Sequence, residues 1–226
     1  MKHTLLIKDW LSSFLSLLFP RCCVVCGRPL AKGEECICTV CNINLPRTNY
    51  HLRKDNPVER LFWGQIPLER ATSFFFYEKG SDFRLILHRL KYGGQKEIGA
   101  IMGRYMAAEL LSSNFFQGID VIIPIPLHKK KQQIRGYNQS EWIARGIAVV
   151  TGIPIDTESI LRKKNTETQT RKSVFERRDN VEGIFELQHP ETLAGKHILI
   201  VDDVLTTGST TLACASCLVD VEDIRI

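Results

Sequence analysis

The fold is decided by residues 198–210, which read Ile198-Leu-Ile-Val-Asp-Asp-Val-Leu-Thr-Thr-Gly-Ser-Thr210. The first four residues are apolar and mostly β-branched, which predicts a buried strand. A short polar loop follows, and helical periodicity predicts a helix over 209–219. A buried strand that runs through a short loop into a helix is typical of α/β proteins, in which helices cover a parallel sheet.

The loop of this stretch combines two acids with several hydroxyl groups. Asp202 and Asp203 follow the strand, and after two apolar residues come five small ones: Thr206, Thr207, Gly208, Ser209 and Thr210. Backbone N–H groups of such a loop and of the helix N-terminus can hold a phosphate, and the glycine lets the backbone approach it closely. The acids would repel a phosphate, so they favour sugar hydroxyls or Mg²⁺ as further ligands. An ordinary turn capped by Ser209 is the simpler alternative, but a cap needs one hydroxyl and this loop has four.

Strands and helices alternate along the rest of the main domain. Apolar or aromatic runs predict strands at 72–77, 121–123, 197–201 and 223–226. Periodicity predicts helices at 82–92, 97–111 and 138–150, and Gly152 is the expected C-cap of the last one. This order predicts an α/β fold, with a parallel sheet flanked by helices on both faces. Cys214 and Cys217, inside the helix at 209–219, are interpreted as small core residues.

Six of the eight cysteines lie between residues 22 and 41. They include two C-x2-C pairs that are separated by eleven residues, and each pair can place two thiolates on one ion. Together the pairs predict a structural, tetrahedral zinc site with the ligands Cys23, Cys26, Cys38 and Cys41. About 25 residues cannot bury a useful core, so the metal would supply the folding energy. Disulfides, or a register that uses Cys22 or Cys36, are the alternatives.

The amino terminus contains a largely apolar run from Trp10 to Phe19, and no small-x-small cleavage site follows it. The run has about ten residues, which is too short for a membrane span, and its spacing predicts an amphipathic helix. We therefore expect a cytoplasmic protein, in which reduced cysteines favour metal over disulfides. The expected organisation is a leader helix at 1–20, a zinc module at 21–45, a linker at 46–70 and the main domain at 71–226.

Positive charge is concentrated in one part of the chain. The formal net charge is +5, but residues 128–178 contain 12 Lys and Arg against 5 Asp and Glu, a net +7 that leaves −2 for the rest. Such a segment indicates a polyanionic partner, namely phosphate, pyrophosphate or nucleic acid, or else a solvated basic face. Tyr137 and Phe175 are candidate rings for stacking on bases, whereas Trp142 is expected in the core. The candidate contacts are Lys129, Lys130, Lys131, Arg135, Arg162, Lys163, Lys164, Arg171 and Lys172.

Residues 198–210 resemble the phosphoribosyl-pyrophosphate (PRPP) loop of type I phosphoribosyltransferases, in which an apolar strand and an acid pair precede T-T-G-x-T. The resemblance implies a type I phosphoribosyltransferase-like sheet. It also implies that Asp202 and Asp203 contact the ribose 2′ and 3′ hydroxyls, that residues 206–210 hold the 5′-phosphate, and that Mg²⁺ accompanies the pyrophosphate. Lys129–Lys131 and Arg135 would then lie at the ligand-facing side of the sheet.

A wider resemblance covers nearly the whole chain. The amino-terminal order of short helix, F-P-x-C and paired cysteine knuckles looks like that of the ComF competence-protein family. So do Phe185 and the motifs at 90–93 (LKYG), 124–126 (PIP), 135–139 (RGYNQ), 169–171 (QTR) and 178–181 (RDNV). The family resemblance implies a role in DNA uptake, with single-stranded DNA and other DNA-uptake proteins as partners.

Two functions compete at this point. The first is a ComF-family protein that binds PRPP, or a related phosphate ligand, and single-stranded DNA. The second is an active phosphoribosyltransferase that transfers phosphoribose from PRPP to a nitrogenous acceptor, by positioning and charge stabilisation. A regulator that senses PRPP or a nucleotide is a weaker third. The sequence identifies neither a catalytic residue nor an acceptor pocket, and a fold does not settle function, so enzymatic activity stays open.

Overall fold

The structure is a computed structural model that describes residues 20–163 and 183–226. The predicted leader helix and the charged residues between 164 and 182 lie outside the described residues. The chain divides into two compact units. The first contains the described residues up to Pro46 together with Tyr77–His88, and the second contains Arg47–Phe76 and Arg89–Ile226. The segment predicted as a linker thus falls within the second unit, apart from its first residue.

The first unit is built around its cysteines. An antiparallel bridge joins Cys22 to Pro29, and helix α1 (Thr39–Ile43) starts directly after Cys38. Cys23, Cys36 and Ile37 are buried, with two valines beside the first of them. The few apolar residues of this unit make a small core, as expected for a module that a metal completes.

The second unit contains the remaining elements. Helix α3 (Arg84–Tyr92) has its last four residues there. The other helices are α2 (Pro57–Arg60), α4 (Glu97–Leu110), α5 (Lys129–Arg135), α6 (Gln139–Thr151) and α7 (Ser209–Ser216). The strands are β1 (Val121–Pro124), β2 (Ile160–Arg162), β3 (Phe185–Leu187) and β4 (Ile198–Val201).

The central sheet is parallel. Strands β1 and β4 pair from Val121 and Ile198 to Pro124 and Val201. Single parallel bridges extend the sheet on both sides, from Ile122 to Ile155 and from His197 to Arg225. Strands β2 and β3 form a separate antiparallel pair.

Helices cover both faces of this sheet. Ile122 packs with Ala107 of α4 and with Ala144 and Ile147 of α6, whereas the neighbouring side chains of β1 pack with α7. Successive side chains of a strand point to opposite faces, so a short apolar strand can serve both cores. The predicted α/β fold, with a parallel sheet between helices, is confirmed.

Helices α4 and α6 cross with almost no space between their backbones. A Cβ atom on Gly103 would lie 2.2 Å from the carbonyl oxygen of Ile143, and one on Gly146 would lie 2.0 Å from that of Ala100. No side chain fits at either position, so glycine is required on both helices. Helix α6 begins at an Asn138 cap and ends at Gly152 with φ 75°, which confirms the predicted C-cap.

Several local predictions differ from the structure. Residues 72–77 form no strand; only Phe75 makes a bridge, to Arg47. Helix α7 stops at Ser216, three residues before the predicted end. Residues 223–226 likewise form only one bridge, from Arg225 to His197. Helix α5, which the sequence pattern does not predict, is capped by His128, whose side chain accepts a hydrogen bond from the Lys130 N–H.

Candidate functional site

Four sulfur atoms of the first unit lie within 4.8 Å of one another, and they belong to the four cysteines predicted as ligands, Cys23, Cys26, Cys38 and Cys41. The Sγ atoms of Cys26 and Cys38 are 3.7 Å apart. A tetrahedral ion with Zn–S bonds of about 2.3 Å holds its ligands about 3.8 Å apart. The cluster therefore fits zinc, and neither Cys22 nor Cys36 belongs to it.

The electrostatics of the cluster also fit a metal. Burial raises the pKa of Cys23, but hydrogen bonds from backbone N–H groups, including that of Cys38, outweigh it and lower the pKa to about 7. Burial, together with the other three thiols, raises the pKa of Cys41 well above its usual value. Four thiolates cannot all ionise in one small space without a cation, and a bound Zn²⁺ supplies the missing charge.

The acid pair stands at the carboxyl end of β4, in the second unit. Asp202 Oδ1 accepts hydrogen bonds from the Ser140 hydroxyl at 3.2 Å and from the Asp203 N–H at 2.8 Å. Burial and the neighbouring carboxylate raise the pKa of Asp202 to about 6, against the weaker effects of these hydrogen bonds and of Lys91. The sequence predicts acids at the open end of a strand, whereas the structure encloses them between β4 and the start of α6.

One basic side chain pairs with the acid pair, and a second one acts on it electrostatically. Lys91, from the end of α3, places its Nζ 3.1 Å from Asp203 Oδ2. Arg162, from β2, lies with its guanidinium 5.3 Å from the centre of the Phe185 ring. Burial lowers the pKa of Arg162, and the Asp202 carboxylate opposes that shift. The sequence analysis did not identify Lys91 as a site residue. Its segment, 90–93, carries a family motif, but no local pattern links it to Asp203.

The loop after the acid pair is shaped around Gly208. This glycine has φ 75°, and a Cβ atom there would lie 3.1 Å from the Phe62 ring. Thr206 and Thr207 are exposed, and the hydroxyls of Thr207 and Ser209 are 2.8 Å apart. Helix α7 begins at Ser209, so its first N–H groups and the hydroxyls converge on one short segment. Such a segment can bind a phosphate.

The described residues of the predicted basic surface lie on helix α5 and at the end of β2. Lys129 and Lys130 are exposed in the first turn of α5, and Lys131 and Arg135 are half-buried on the same helix. Arg162 is half-buried, and the exposed Lys163 pairs with Glu186. Lys164, Arg171 and Lys172 lie outside the described residues.

The aromatic rings near helix α5 differ in exposure. Tyr137 is buried, and its hydroxyl donates to the carbonyl oxygen of Leu90 at 2.5 Å, so the prediction that it stacks on bases is wrong. Trp142 is half-buried under Lys96 and Arg145 rather than in the core. Phe175 lies outside the described residues. Tyr92 has an exposed fraction of 70%, and the Arg135 guanidinium lies 5.7 Å from its ring centre.

Three relatives show what this chain is similar to. DNA utilization protein YhgH of Escherichia coli O157:H7 is 32% identical over 217 residues, which cover 89% of this chain and 92% of that protein. Competence protein ComFC of Bacillus subtilis is 26% identical over 216 residues, or 93% of this chain and 83% of that protein. The chain belongs to the ComF family. Competence protein F of Haemophilus influenzae is 30% identical over 148 residues, or 63% and 65% of the two chains.

Membership of the ComF family confirms the resemblance found in the sequence and fits a phosphoribosyltransferase-like fold. No family model and no solved structure matches the chain. Within residues 20–163 and 183–226, none of the helices has the length and apolar character that crossing a membrane requires.

Proposed function

We propose that this ComF-family protein binds PRPP, or a related ribose phosphate, and single-stranded DNA in the uptake or utilization of DNA. The carrying observation is that β4 ends in an enclosed acid pair, and that the hydroxyl-rich residues Thr206–Thr210 and a helix N-terminus follow it two residues later. The relatives support the biological setting, because two are named competence proteins and another a DNA utilization protein. We also propose that the protein works in the cytoplasm.

The acid pair and the loop suit the two ends of a ribose phosphate. Asp202 and Asp203 can accept hydrogen bonds from the 2′ and 3′ hydroxyls. The loop Thr206–Thr210 offers backbone N–H groups and hydroxyls to the 5′-phosphate. Gly208 has φ 75°, a conformation that favours glycine. Because glycine has no side chain, a phosphate can come close to the backbone of this loop.

We propose that the protein uses zinc for structure and Mg²⁺ for ligand binding. Zinc on the four cysteines is structural, since four thiolates leave no open coordination position, and it supplies folding energy to the first unit. Mg²⁺ would arrive with the pyrophosphate of PRPP, because phosphate oxygens are its usual ligands.

Isothermal calorimetry with PRPP and Mg²⁺ tests the ribose-phosphate site. Asp202→Asn with Asp203→Asn should weaken binding, since each lost charge-assisted hydrogen bond costs roughly 1.5–3 kcal/mol, or roughly 10- to 150-fold. The matched control is Asp220→Asn with Asp223→Asn, which removes two exposed carboxylates elsewhere. Wild-type protein that binds no PRPP at millimolar concentration would refute this part of the proposal.

Fluorescence anisotropy of a labelled oligonucleotide tests the single-stranded DNA site. The logarithm of the binding constant should fall with the logarithm of salt concentration by roughly 0.7 per phosphate contacted. Changing Lys129, Lys130 and Lys131 to alanine should reduce that slope by about two to three contacts. The control changes three exposed lysines elsewhere, Lys32, Lys54 and Lys79. An unchanged slope in the first variant would remove α5 from the DNA site.

Catalysis is the second candidate, because the intact acid pair keeps both carboxylates that could contact the ribose of PRPP. In that case the protein transfers phosphoribose to a nitrogenous acceptor and releases pyrophosphate. Pyrophosphate release from PRPP, dependent on an added nitrogen compound and lost in the Asp202→Asn, Asp203→Asn variant, would establish it.

A further inference from the structure

The acid pair has neighbours that set its ligand preference. Two adjacent carboxylates would ordinarily attract a divalent cation, since Mg²⁺ and Mn²⁺ prefer oxygen ligands. Here Lys91 Nζ lies 3.1 Å from Asp203 Oδ2, with 22% of the lysine side chain and 14% of the aspartate side chain exposed. Arg162 interacts electrostatically with Asp202. At this distance the Lys91 ammonium offsets the charge of the Asp203 carboxylate, so the acid pair attracts a metal ion less strongly than two unpaired acids would.

The remaining hydrogen-bonding capacity fits a diol. Asp202 Oδ1 accepts from Ser140 and from the backbone of Asp203, and Asp203 Oδ2 pairs with Lys91. Among the described residues, no hydrogen bond or ion pair reaches the second oxygen of either acid. One accepting oxygen per carboxylate is the number that two neighbouring sugar hydroxyls require, because each hydroxyl donates one hydrogen.

We infer that Lys91 is a specificity-determining residue, which neutralises the acid pair so that it accepts the two hydroxyls of a ribose and rejects a bare divalent cation. The ribose part of this inference rests on the proposed function. Lys91 acts through Asp203 and needs no contact with the ligand itself. Any Mg²⁺ in the complex is then held by the ligand's phosphates rather than by Asp202 and Asp203.

The first test measures Mn²⁺ binding to the zinc-loaded full chain by electron paramagnetic resonance. The variants are Lys91→Met, Lys91→Arg, Lys91→Met with Asp203→Asn, and the control Lys96→Met, whose lysine lies over the Trp142 ring instead. Lys91→Met removes a positive charge 3.1 Å from Asp203 Oδ2 and frees that oxygen as a ligand, so it should bind Mn²⁺ about 10-fold more tightly or better. The other three should bind no better than wild type. A wild-type protein that binds Mn²⁺ as tightly as Lys91→Met overturns the inference.

The second test needs no variant. In metal-free buffer, wild-type protein should bind ribose 5-phosphate about 10-fold more tightly than 2-deoxyribose 5-phosphate, since the deoxy sugar leaves one carboxylate oxygen unpaired. A preference that appears only after Mn²⁺ is added overturns the inference and leaves the proposed ribose-phosphate site standing. If neither sugar phosphate binds under any condition, the proposed function and the diol half of the inference fall together. The exclusion of Mn²⁺ by Lys91 is then decided by the first test.

Discussion

The sulfur atoms of Cys26 and Cys38 lie 3.7 Å apart, although eleven residues separate the two cysteines in the sequence. That spacing is close to the edge of a zinc–thiolate tetrahedron. We predict about one zinc ion per chain, measured by mass spectrometry of metals on protein purified with ample zinc. Cys38→Ser should release the ion and unfold the first unit, because the metal supplies most of its folding energy.

The control for this prediction is Cys22→Ser, which changes an exposed cysteine outside the cluster and should keep its zinc. A disulfide between the two C-x2-C pairs, or equal zinc loss from both variants, would contradict the assignment.

A second prediction concerns Gly208. Alanine there meets the Phe62 ring at 3.1 Å and must keep φ near 75°, so both the loop and the phosphate site should suffer. Gly152→Ala is a matched control, because Gly152 has the same φ but nothing within 4 Å of its missing Cβ. Backbone strain should cost each variant roughly 1 kcal/mol in the free energy of unfolding. Only Gly208→Ala should also lose affinity for ribose 5-phosphate, as measured by calorimetry; equal affinities would argue against a phosphate at this loop.

A third prediction concerns pH. Burial and Asp203 raise the pKa of Asp202 from 3.8 to about 6, so folding makes its ionised form less favourable. Protonated Asp202 therefore contributes its full share to the free energy of unfolding below about pH 4. This contribution is lost as the pH rises through 6. Relative to Asp202→Asn, the melting temperature of wild type should rise by a few degrees between pH 8 and pH 5, since 1 kcal/mol corresponds to roughly 2–4 °C at this size.

Thermal scans at several pH values check this expectation, with Asp220→Asn as the control for loss of an exposed acid. A wild-type minus Asp202→Asn difference that stays constant from pH 8 to pH 5 would show that Asp202 is not enclosed.

A fourth prediction concerns the crossing of α4 and α6. Gly146→Ala places a Cβ 2.0 Å from the carbonyl oxygen of Ala100, which forces the helices apart. We expect it to lower the free energy of unfolding by about 1–3 kcal/mol, although helix propensity alone favours alanine by about 1 kcal/mol. Urea denaturation measures the change. Val149→Ala on the exposed side of α6 should stay within about 0.5 kcal/mol of wild type, and a stabilised Gly146→Ala would contradict the close crossing.

Elements with a strong local pattern could be predicted from the sequence. The runs 121–123 and 198–201 are apolar throughout and became β1 and β4, because a strand covered on both faces needs no polar alternation. The aromatic run 72–77 has high strand propensity as well, yet it forms only one bridge, to Arg47. Propensity describes one strand, whereas a sheet requires a neighbour, and that neighbour is set by the rest of the fold.

Contacts between distant parts of the chain could not be predicted in the same way. Tyr137 has its hydroxyl partner at Leu90, 47 residues away, so a ring that reads as available for bases is buried. Lys91 and Asp203 are likewise far apart in sequence, and no local pattern indicates that they pair. The acid pair itself was predictable because its two members are adjacent and follow a strand.

The close crossing at Gly103 and Gly146 also has a consequence for hydrogen exchange. Backbones that approach this closely leave no room for water, so the amide protons of α4 and α6 near the crossing can exchange only when the two helices separate. Because Ile122 and Val201 of the sheet pack against the same helix pair, separation requires opening of the core as a whole. These amides therefore report the global free energy of unfolding. They therefore serve as an internal reference. If a sugar phosphate binds, amide exchange in the Thr206–Thr210 loop should slow, and the change can be measured relative to these amides.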